Sequence, residues 1–486
     1  MGKFYITTPI YYVNDRPHIG HAYTTIAADI VARYARSQKH DVIFLTGTDE
    51  NSQKTVEAAA KTGEDVNIYT NRLAKIWQKT WEELHITNTD FIRTTEKRHI
   101  DTVKEFWRLV EISGDIKKDK YAGLYCRGHE AFVKESELIG GLCPDHKTAP
   151  EHIVEENYFF RLSKYQDKLL KFYEANPQFI VPADRFHEIK NFVSDGLEDI
   201  SISRPVKAWG IPVPDDAEHV IYVWFDALIN YVSAVGVDAW KKHPADIHFV
   251  GKDITRFHAV IWPAMLMSAG LPLPKQIVAN GFFTINGIKI SKSLGNAVDP
   301  LALIKTYGND ALRYFLFREI PFGSDGDFSE EKFLDRYNGD LANGLGNLVA
   351  RVTTLGEKLS PIDINYGDGV STTEAMGGYE KGSTSLILNP YGSLMNNFRF
   401  GDALTIIWEA FANVDKYLTE KTPWNITDDK EKRKVLAYAL LQVNKIREHL
   451  QPFLPETSQK IAELIKVDSA SIIVKKGANL FPRLKK

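Results

Sequence analysis

The chain has 486 residues, room for roughly three domains at about 150 residues each. Apolar residues make up 44% and charged residues 25%, and 60 basic against 63 acidic side chains leave a formal charge of -3, which excludes a strongly cationic coat but not a local basic surface for nucleic acid. Two cysteines, Cys126 and Cys143, exclude a disulfide-rich secreted scaffold; no run of about 18 apolar residues exists and the start, MGKFYITTPIYY, has no signal-peptide pattern, so a cytoplasmic multidomain protein with no membrane span is expected.

Phe4 to Tyr12, rich in β-branched and aromatic residues, predicts a strand. Pro17 and Gly20 mark a turn, and Ile26, Ala27, Ile30, Val31 and Tyr34 then recur at helical spacing over about 20–36. A second strand is predicted at Val42 to Thr46, and an amphipathic helix over 97–113 with Ile100, Val103, Phe106, Trp107 and Val110 on one face. Such alternation implies a parallel sheet with helices on its faces. The pattern breaks at about 115 and resumes with strands at Val220 to Trp224, Ile247 to Val250 and Gln276 to Val278, so residues of about 115–215 read as an insertion splitting one α/β domain. Beyond Leu334 the chain reads as mainly helical, with Leu404, Ile407, Trp408 and Phe411 as one example of the repeat. The stretch of about 361–390, rich in Gly, Ser and Thr, reads as a long loop.

His18-Ile19-Gly20-His21 falls at a strand-to-helix junction. A helix N-terminus favours phosphate, Gly20 permits close approach, and two imidazoles can donate to phosphate oxygens. On its own the segment is equally a turn with two incidental histidines. Lys289-Ile290-Ser291-Lys292-Ser293, followed by Leu294-Gly295-Asn296, has the composition of a polyphosphate clamp or of a solvated basic loop. Cys126-x2-His129 and Cys143-x2-His146 have the ligand types and spacing of a tetrahedral zinc site, against two free thiols. Trp224, Ala227 and Tyr231 lie at 0, +3 and +7 on one helical face, a pocket lining or a core stripe. Asn347 and Arg351, at i and i+4, form a polar pair, and Pro423-Trp424 follows later in the helical part.

The order of the two signatures across a split α/β domain resembles the class I aminoacyl-tRNA synthetases. Thr8 to Asn14, Thr46 to Glu50, Ile200 to Pro205, Trp209 to Pro212, Tyr222 to Ala227, Gly251 to Ile254, His258 and Trp262 to Ala264 resemble the methionyl-tRNA synthetase family nearly end to end. The resemblance implies a Rossmann-like parallel sheet split by an inserted connective domain and followed by an all-α anticodon-binding helical bundle. The implied boundaries are 1–115 and 216–335 for the halves of the catalytic domain, 116–215 for the connective domain with its zinc knuckle, and 336–486 for the helical domain.

The implied activity is ligation of methionine to tRNA(Met), initiator tRNA included, through methionyl-adenylate. Methionine is an uncharged, flexible thioether that suits an apolar, aromatic pocket. The matched positions are Ile10, Tyr12, Trp224, Ala227, Tyr231, Ile254, His258 and Trp262, with Asp49 for the substrate ammonium. ATP, carrying Mg2+, falls to His18, Gly20, His21, Asp253, Lys289, Ser291 and Lys292, with Asp253 assigned to the ribose and the lysines to the phosphates. Asn347 and Arg351 are implied to bond an anticodon base and Trp424 to stack, the mode by which splayed bases are read. Zn2+ is implied at Cys126, His129, Cys143 and His146, where His129 stands in place of a usual cysteine. Ile290 replaces the family's usual Met, apolar for apolar, and Asn280 replaces a frequent His.

An insertion of this size leaves no room for the editing domain of enzymes for Ile, Leu or Val. Cysteinyl enzymes hold a metal in the amino-acid pocket, a small nucleotidyltransferase needs no helical domain, and a catalytically dead tRNA-binding scaffold would not need both signatures intact. The chain ends at Lys486, soon after the helical part, without the appended dimerising module of some family members, so a monomer is expected.

Overall fold

The computed structural model describes all residues except 1, 127–130, 134, 145–146, 206–208, 286, 290–297, 365–383 and 486. Two compact units result, one of residues 1–17 and 38–280, the other of 18–37 and 281–486. Among the described residues no helix is long and apolar enough to cross a membrane.

The first unit is built on β1 (Lys3–Tyr12), while α1 (Ile19–Ser37), the next element, belongs to the second unit. β2 (Asp41–Asp49) and α2 (Lys97–Ile112) follow, close to their predicted positions, with β3 (Asp90–Arg93) between them, a strand the sequence pattern does not predict. An antiparallel sheet then forms from β4 (Ile116–Cys126), β5 (Ala131–Val133), β6 (Glu151–Phe160) and β8 (Ile200–Ser201), in the order β5-β4-β6-β8. Between β6 and β8 the two-residue β7 (Ile180–Val181) leaves that sheet and pairs in parallel with β10 (Gln276–Asn280), itself beside β9 (Ile247–Gly251). The parallel sheet has the order β3-β2-β1-β9-β10-β7. The stretch 116–215 thus contributes one edge strand to the parallel sheet as well as all four strands of a sheet of its own.

Strand order reverses at β1, with β2 on one side and β9 on the other, and a crevice at the carboxyl ends of strands on such a reversal is where α/β sheets bind ligands. Pro9 lies inside this central strand although it has no N–H to give a ladder. A bulge accommodates it: register with β2 shifts between Thr7/Leu45 and Ile10/Gly47. Pairing of β1 with β9 is confined to Ile6/Ile247 and Thr7/His248, so the two strands part beyond the bulge and the crevice opens there. The end of β2 is fixed by Glu50, fully buried, which accepts a two-pronged ion pair from Arg93 at 2.7 and 2.9 Å.

The strand predicted at Val220 to Trp224 needs correction. The strand spans Asp216–Ile221, and Trp224 lies in α3 (Val223–Leu228), followed closely by α4 (Asn230–Val235). The helical 0, +3, +7 spacing is the pattern that holds.

In the second unit a small sheet joins Phe283–Ile285, Ile288–Lys289 and Gly326–Phe328. Helices dominate after it: α5 (Asn309–Glu319), α6 (Asn347–Glu357), α7 (Phe400–Lys421) and α8 (Asp429–Leu450). The region is not wholly helical, since Ile362–Asp363, Ile465–Val467 and Ser471–Val474 form a three-stranded sheet. The expected loop of 361–390 is therefore a strand at its start and a helix, Thr384–Leu388, near its end; residues 365–383 lie outside the described residues. Arg313 of α5 is fully buried and ties the unit together. It donates to Asp29 of α1 at 2.7 Å and to the carbonyls of Phe453 at 2.7 Å and Pro452 at 3.0 Å.

Candidate active site

At the carboxyl edge of the parallel sheet, Tyr12 closes β1 as the register partner of Asp49, which closes β2 and is 4% exposed. From Tyr12 an aromatic chain runs inward. Its ring meets Trp224 edge-on at 6.5 Å, Trp224 stacks on Phe257 at 3.8 Å and meets His258 edge-on at 6.4 Å. Tyr231 lies 5.7 Å from His258 and 6.0 Å from Trp262. Ile10, Trp224 and Ile254 are half-buried against the core cluster that includes Tyr231 and Trp262, and Ala227 is buried one turn after Trp224. All eight apolar or aromatic positions predicted for one pocket thus fall in one unit beside Asp49.

The polar atoms of this wall are engaged with one another. The Tyr231 hydroxyl donates to Nε2 of His258 at 2.7 Å, and His258 Nδ1 donates to the Ile254 carbonyl at 3.0 Å. Deeper, Trp262 Nε1 donates to Nε2 of His248 at 3.3 Å, which leaves the His248 proton on Nδ1, 2.7 Å from Thr7 Oγ1. Burial lowers the pKa of His258 to about 4, against the opposing pull of the Ile254 carbonyl. Burial, and then the neighbouring His258, push His248 well below its ordinary value. Both rings are neutral at pH 7, so the wall is aromatic and uncharged while a carboxylate lies at the strand ends beside it. That contrast suits a substrate with an ammonium group at one end and an uncharged, polarizable side chain at the other.

Asp253 follows the end of β9 and is exposed. Its Oδ1 lies 2.6 Å from where a Cβ on Gly251 would sit, so a side chain at 251 would displace it. Asn280 ends the neighbouring strand and is buried; nothing in the structure explains the choice of Asn there.

The second unit holds the histidine signature at the start of α1. The Gly20 amide donates to His18 Nδ1 at 3.1 Å, and the His18 amide donates to His21 Nδ1 at 3.2 Å. Each neutral ring therefore carries its proton on Nε2. The two rings stack at 3.7 Å, and a Cβ on Gly20 would lie 3.0 Å from His18 Cε1, so a side chain at 20 would press the His18 ring out of this position. The Ile19 amide donates to the Val298 carbonyl at 3.1 Å, which joins the histidine segment to the chain just beyond the lysine signature. Lys289 lies in the strand Ile288–Lys289, and Ile290, Ser291, Lys292 and Ser293 lie outside the described residues.

In the helical part Asn347 and Arg351 lie one turn apart on α6, with Asn347 exposed. Arg351 pairs with Asp415 of α7, and its guanidinium lies 5.9 Å from the centroid of Trp424. Trp424 is 46% exposed, so it is a surface ring and not a core residue.

Cys126 and Cys143 are both buried, and His129 and His146 lie outside the described residues. Cys126 pairs with Ala131 across the β4–β5 hairpin. The Cys143 amide donates to the Thr148 carbonyl and the Lys147 amide to the Cys143 carbonyl. Among the described residues there is no group of three or more His, Cys, Asp and Glu placed to hold a metal.

Residues 4–153 and 146–353 match the family described as class I tRNA synthetases (M). The chain is 47% identical over 475 residues to the methionine–tRNA ligase of Thermotoga maritima, covering 94% of this chain and 74% of that protein. The chain belongs to the methionyl-tRNA synthetase family. It is 41% identical over 525 residues to the methionine–tRNA ligase of Streptomyces coelicolor, covering 99% of this chain and 96% of that protein. Mycobacterium tuberculosis methionyl-tRNA synthetase in complex with methionyl-adenylate superposes with a TM-score of 0.93 at 38% identity, over 99% of this chain and 100% of that one. Phe257, which stacks on Trp224, and His248, which fixes Trp262, belong to the wall although no motif in the sequence singles them out. Asp226 stands inside the Tyr222 to Ala227 block, and the family resemblance implies no role for it. Phe257 could have been found from its place beside His258; His248, in an otherwise apolar strand, carried the signal of a polar residue on a buried strand.

Proposed function

We propose that the chain activates methionine with ATP and transfers it to tRNA(Met). The observation that carries this reading is the neutral aromatic wall from Tyr12 through Trp224, His258 and Tyr231 to Trp262, set beside the buried carboxylate of Asp49. In the first step a methionine carboxylate oxygen forms a bond to the α-phosphorus of ATP, and the bond to pyrophosphate breaks. In the second, a terminal ribose hydroxyl of tRNA attacks the adenylate carbonyl and AMP leaves. No side-chain nucleophile is needed, because holding the carboxylate in line and stabilising charge on the leaving phosphates supply the rate.

Asp49 receives the ammonium group, and the wall takes the thioether. His18 and His21, with Gly20 admitting close approach, donate from Nε2 to ATP, and Asp253 receives the ribose hydroxyls. Lys289, Ser291 and Lys292 act on the phosphates, Lys292 most directly on the departing pyrophosphate. Mg2+ enters with ATP. Asn347 and Arg351 bond an anticodon base and Trp424 stacks; Arg351 then exchanges its Asp415 contact for the base. Charging of tRNA(Met), compared with the same tRNA carrying an altered anticodon, tests this reading: equal charging of both contradicts it.

A structural Zn2+ on Cys126, His129, Cys143 and His146 is part of the proposal. Two buried thiols, each followed three positions later in the sequence by a histidine, support it. Such a metal would brace the connective region and takes no part in the chemistry. Purified protein holding less than about 0.1 zinc per chain, prepared without chelators, contradicts it. A cytoplasmic monomer completes the proposal, and a dimer mass in light scattering would contradict that assignment.

A further inference from the structure

Asp226 has no surface exposure, and both of its carboxylate oxygens are held by side chains from other elements. His99 Nε2 of α2 lies 2.6 Å from Oδ1, and Asn51 Nδ2 donates to Oδ2 at 2.8 Å. Asn51 stands two residues beyond Asp49 and donates also to the Thr94 carbonyl at 3.2 Å. The other His99 nitrogen, Nδ1, lies 3.0 Å from Ser233 Oγ of α4, whose own proton goes to the Ile229 carbonyl at 3.0 Å. One carboxylate therefore ties the end of β2, the start of α2 and the α3–α4 pair.

Well-packed apolar residues would serve a purely structural role here as well or better, because a buried polar or ionic pair rarely adds stability over them. What the polar network adds is fixed geometry. On one side it holds the turn that follows Asp49, the residue assigned to the substrate ammonium. On the other it holds α3, which presents Trp224 and Ala227 to the substrate side chain. We propose that Asp226 is a positioning residue that sets the span between the carboxylate and the aromatic wall, with His99 and Asn51 as its fixed partners. This rests on the methionine-activating reading above.

Steady-state ATP–pyrophosphate exchange on the full chain tests it. Asp226→Ala is expected to raise the methionine KM by about tenfold or more while the ATP KM stays within about twofold, since the misplacement concerns one substrate only. Asp226→Asn can accept from Asn51 and donate to a neutral His99, and is expected to bring the methionine KM back to within about threefold of the wild type. Asn51→Ala, which keeps the His99 pair and loses only the tie to the end of β2, is expected to raise the methionine KM as well, and serves should Asp226→Ala not fold. A methionine KM unmoved in Asp226→Ala or Asn51→Ala, with kcat lowered only in step with the folded fraction, overturns the inference. So does an Asp226→Asn enzyme no better than Asp226→Ala. A wild type without methionine-stimulated exchange refutes the functional reading itself.

Discussion

His258 offers the sharpest quantitative consequence of the pocket. Its ring is 2% exposed, with Nδ1 donating to Ile254 and Nε2 accepting from Tyr231, so it has no place for a second proton. Burial brings its pKa from 6.5 to about 4. At about 1.4 kcal/mol per unit this links roughly 3 kcal/mol of folding stability to pH. Above pH 6.5 the ring is neutral in both folded and unfolded chains, and the full contribution is present. As pH falls from 6.5 toward 4, the unfolded chain takes up a proton that the folded chain refuses, and the contribution is lost. His248, shifted in the same direction, adds a loss of the same sign. Urea unfolding followed at several pH values from about 7.5 to 4.5, for the wild type and for His258→Gln, isolates the effect from other titrating groups. The wild type is expected to lose roughly 2–3 kcal/mol more than the variant over that range. Parallel profiles would refute the neutral, enclosed state of His258.

In the second unit, Gly20→Ala places a methyl 3.0 Å from His18 Cε1 and 3.2 Å from Nδ1, so the ring must move; exchange is expected to fall by about 100-fold, and an unchanged rate would contradict the assigned role. Arg313→Met removes one ion-pair partner of the fully buried Asp29 while Arg33 stays, and is expected to lower stability by about 3 kcal/mol in urea unfolding. A loss below about 1 kcal/mol would show that the Arg313 contacts are not what holds α1 to α5. Trp424→Ala removes a half-exposed ring, so stability should change by less than about 0.5 kcal/mol and methionine-dependent exchange should persist. Charging of tRNA should fall, and an unchanged apparent affinity for tRNA would count against anticodon stacking.

The elements that alternate or repeat cleanly were legible from sequence, as β1, α1, β2 and α2 illustrate. Trp224 was placed in a strand because Tyr222, Val223, Trp224 and Phe225 form an aromatic and β-branched run, whereas the competing 0, +3, +7 pattern determines the helix. β7 has two residues, too few for any periodicity, and is a strand only because Ile180 and Val181 find β10. Ile362–Asp363 inside the expected loop depends likewise on a distant partner, Ser471 and Ile472. The pocket positions were reached through a family resemblance, not through spacing. The His99–Asp226 contact joins residues 127 positions apart, and no local pattern announces it.

The central claim is that the wall from Tyr12 to Trp262 selects methionine for activation. ATP–pyrophosphate exchange measured with a panel of amino acids tests it most directly. Methionine is expected to stimulate exchange, with leucine, isoleucine, valine and cysteine far behind. Stimulation by none of them would contradict the enzyme reading, and preferential stimulation by leucine would contradict the pocket's specificity.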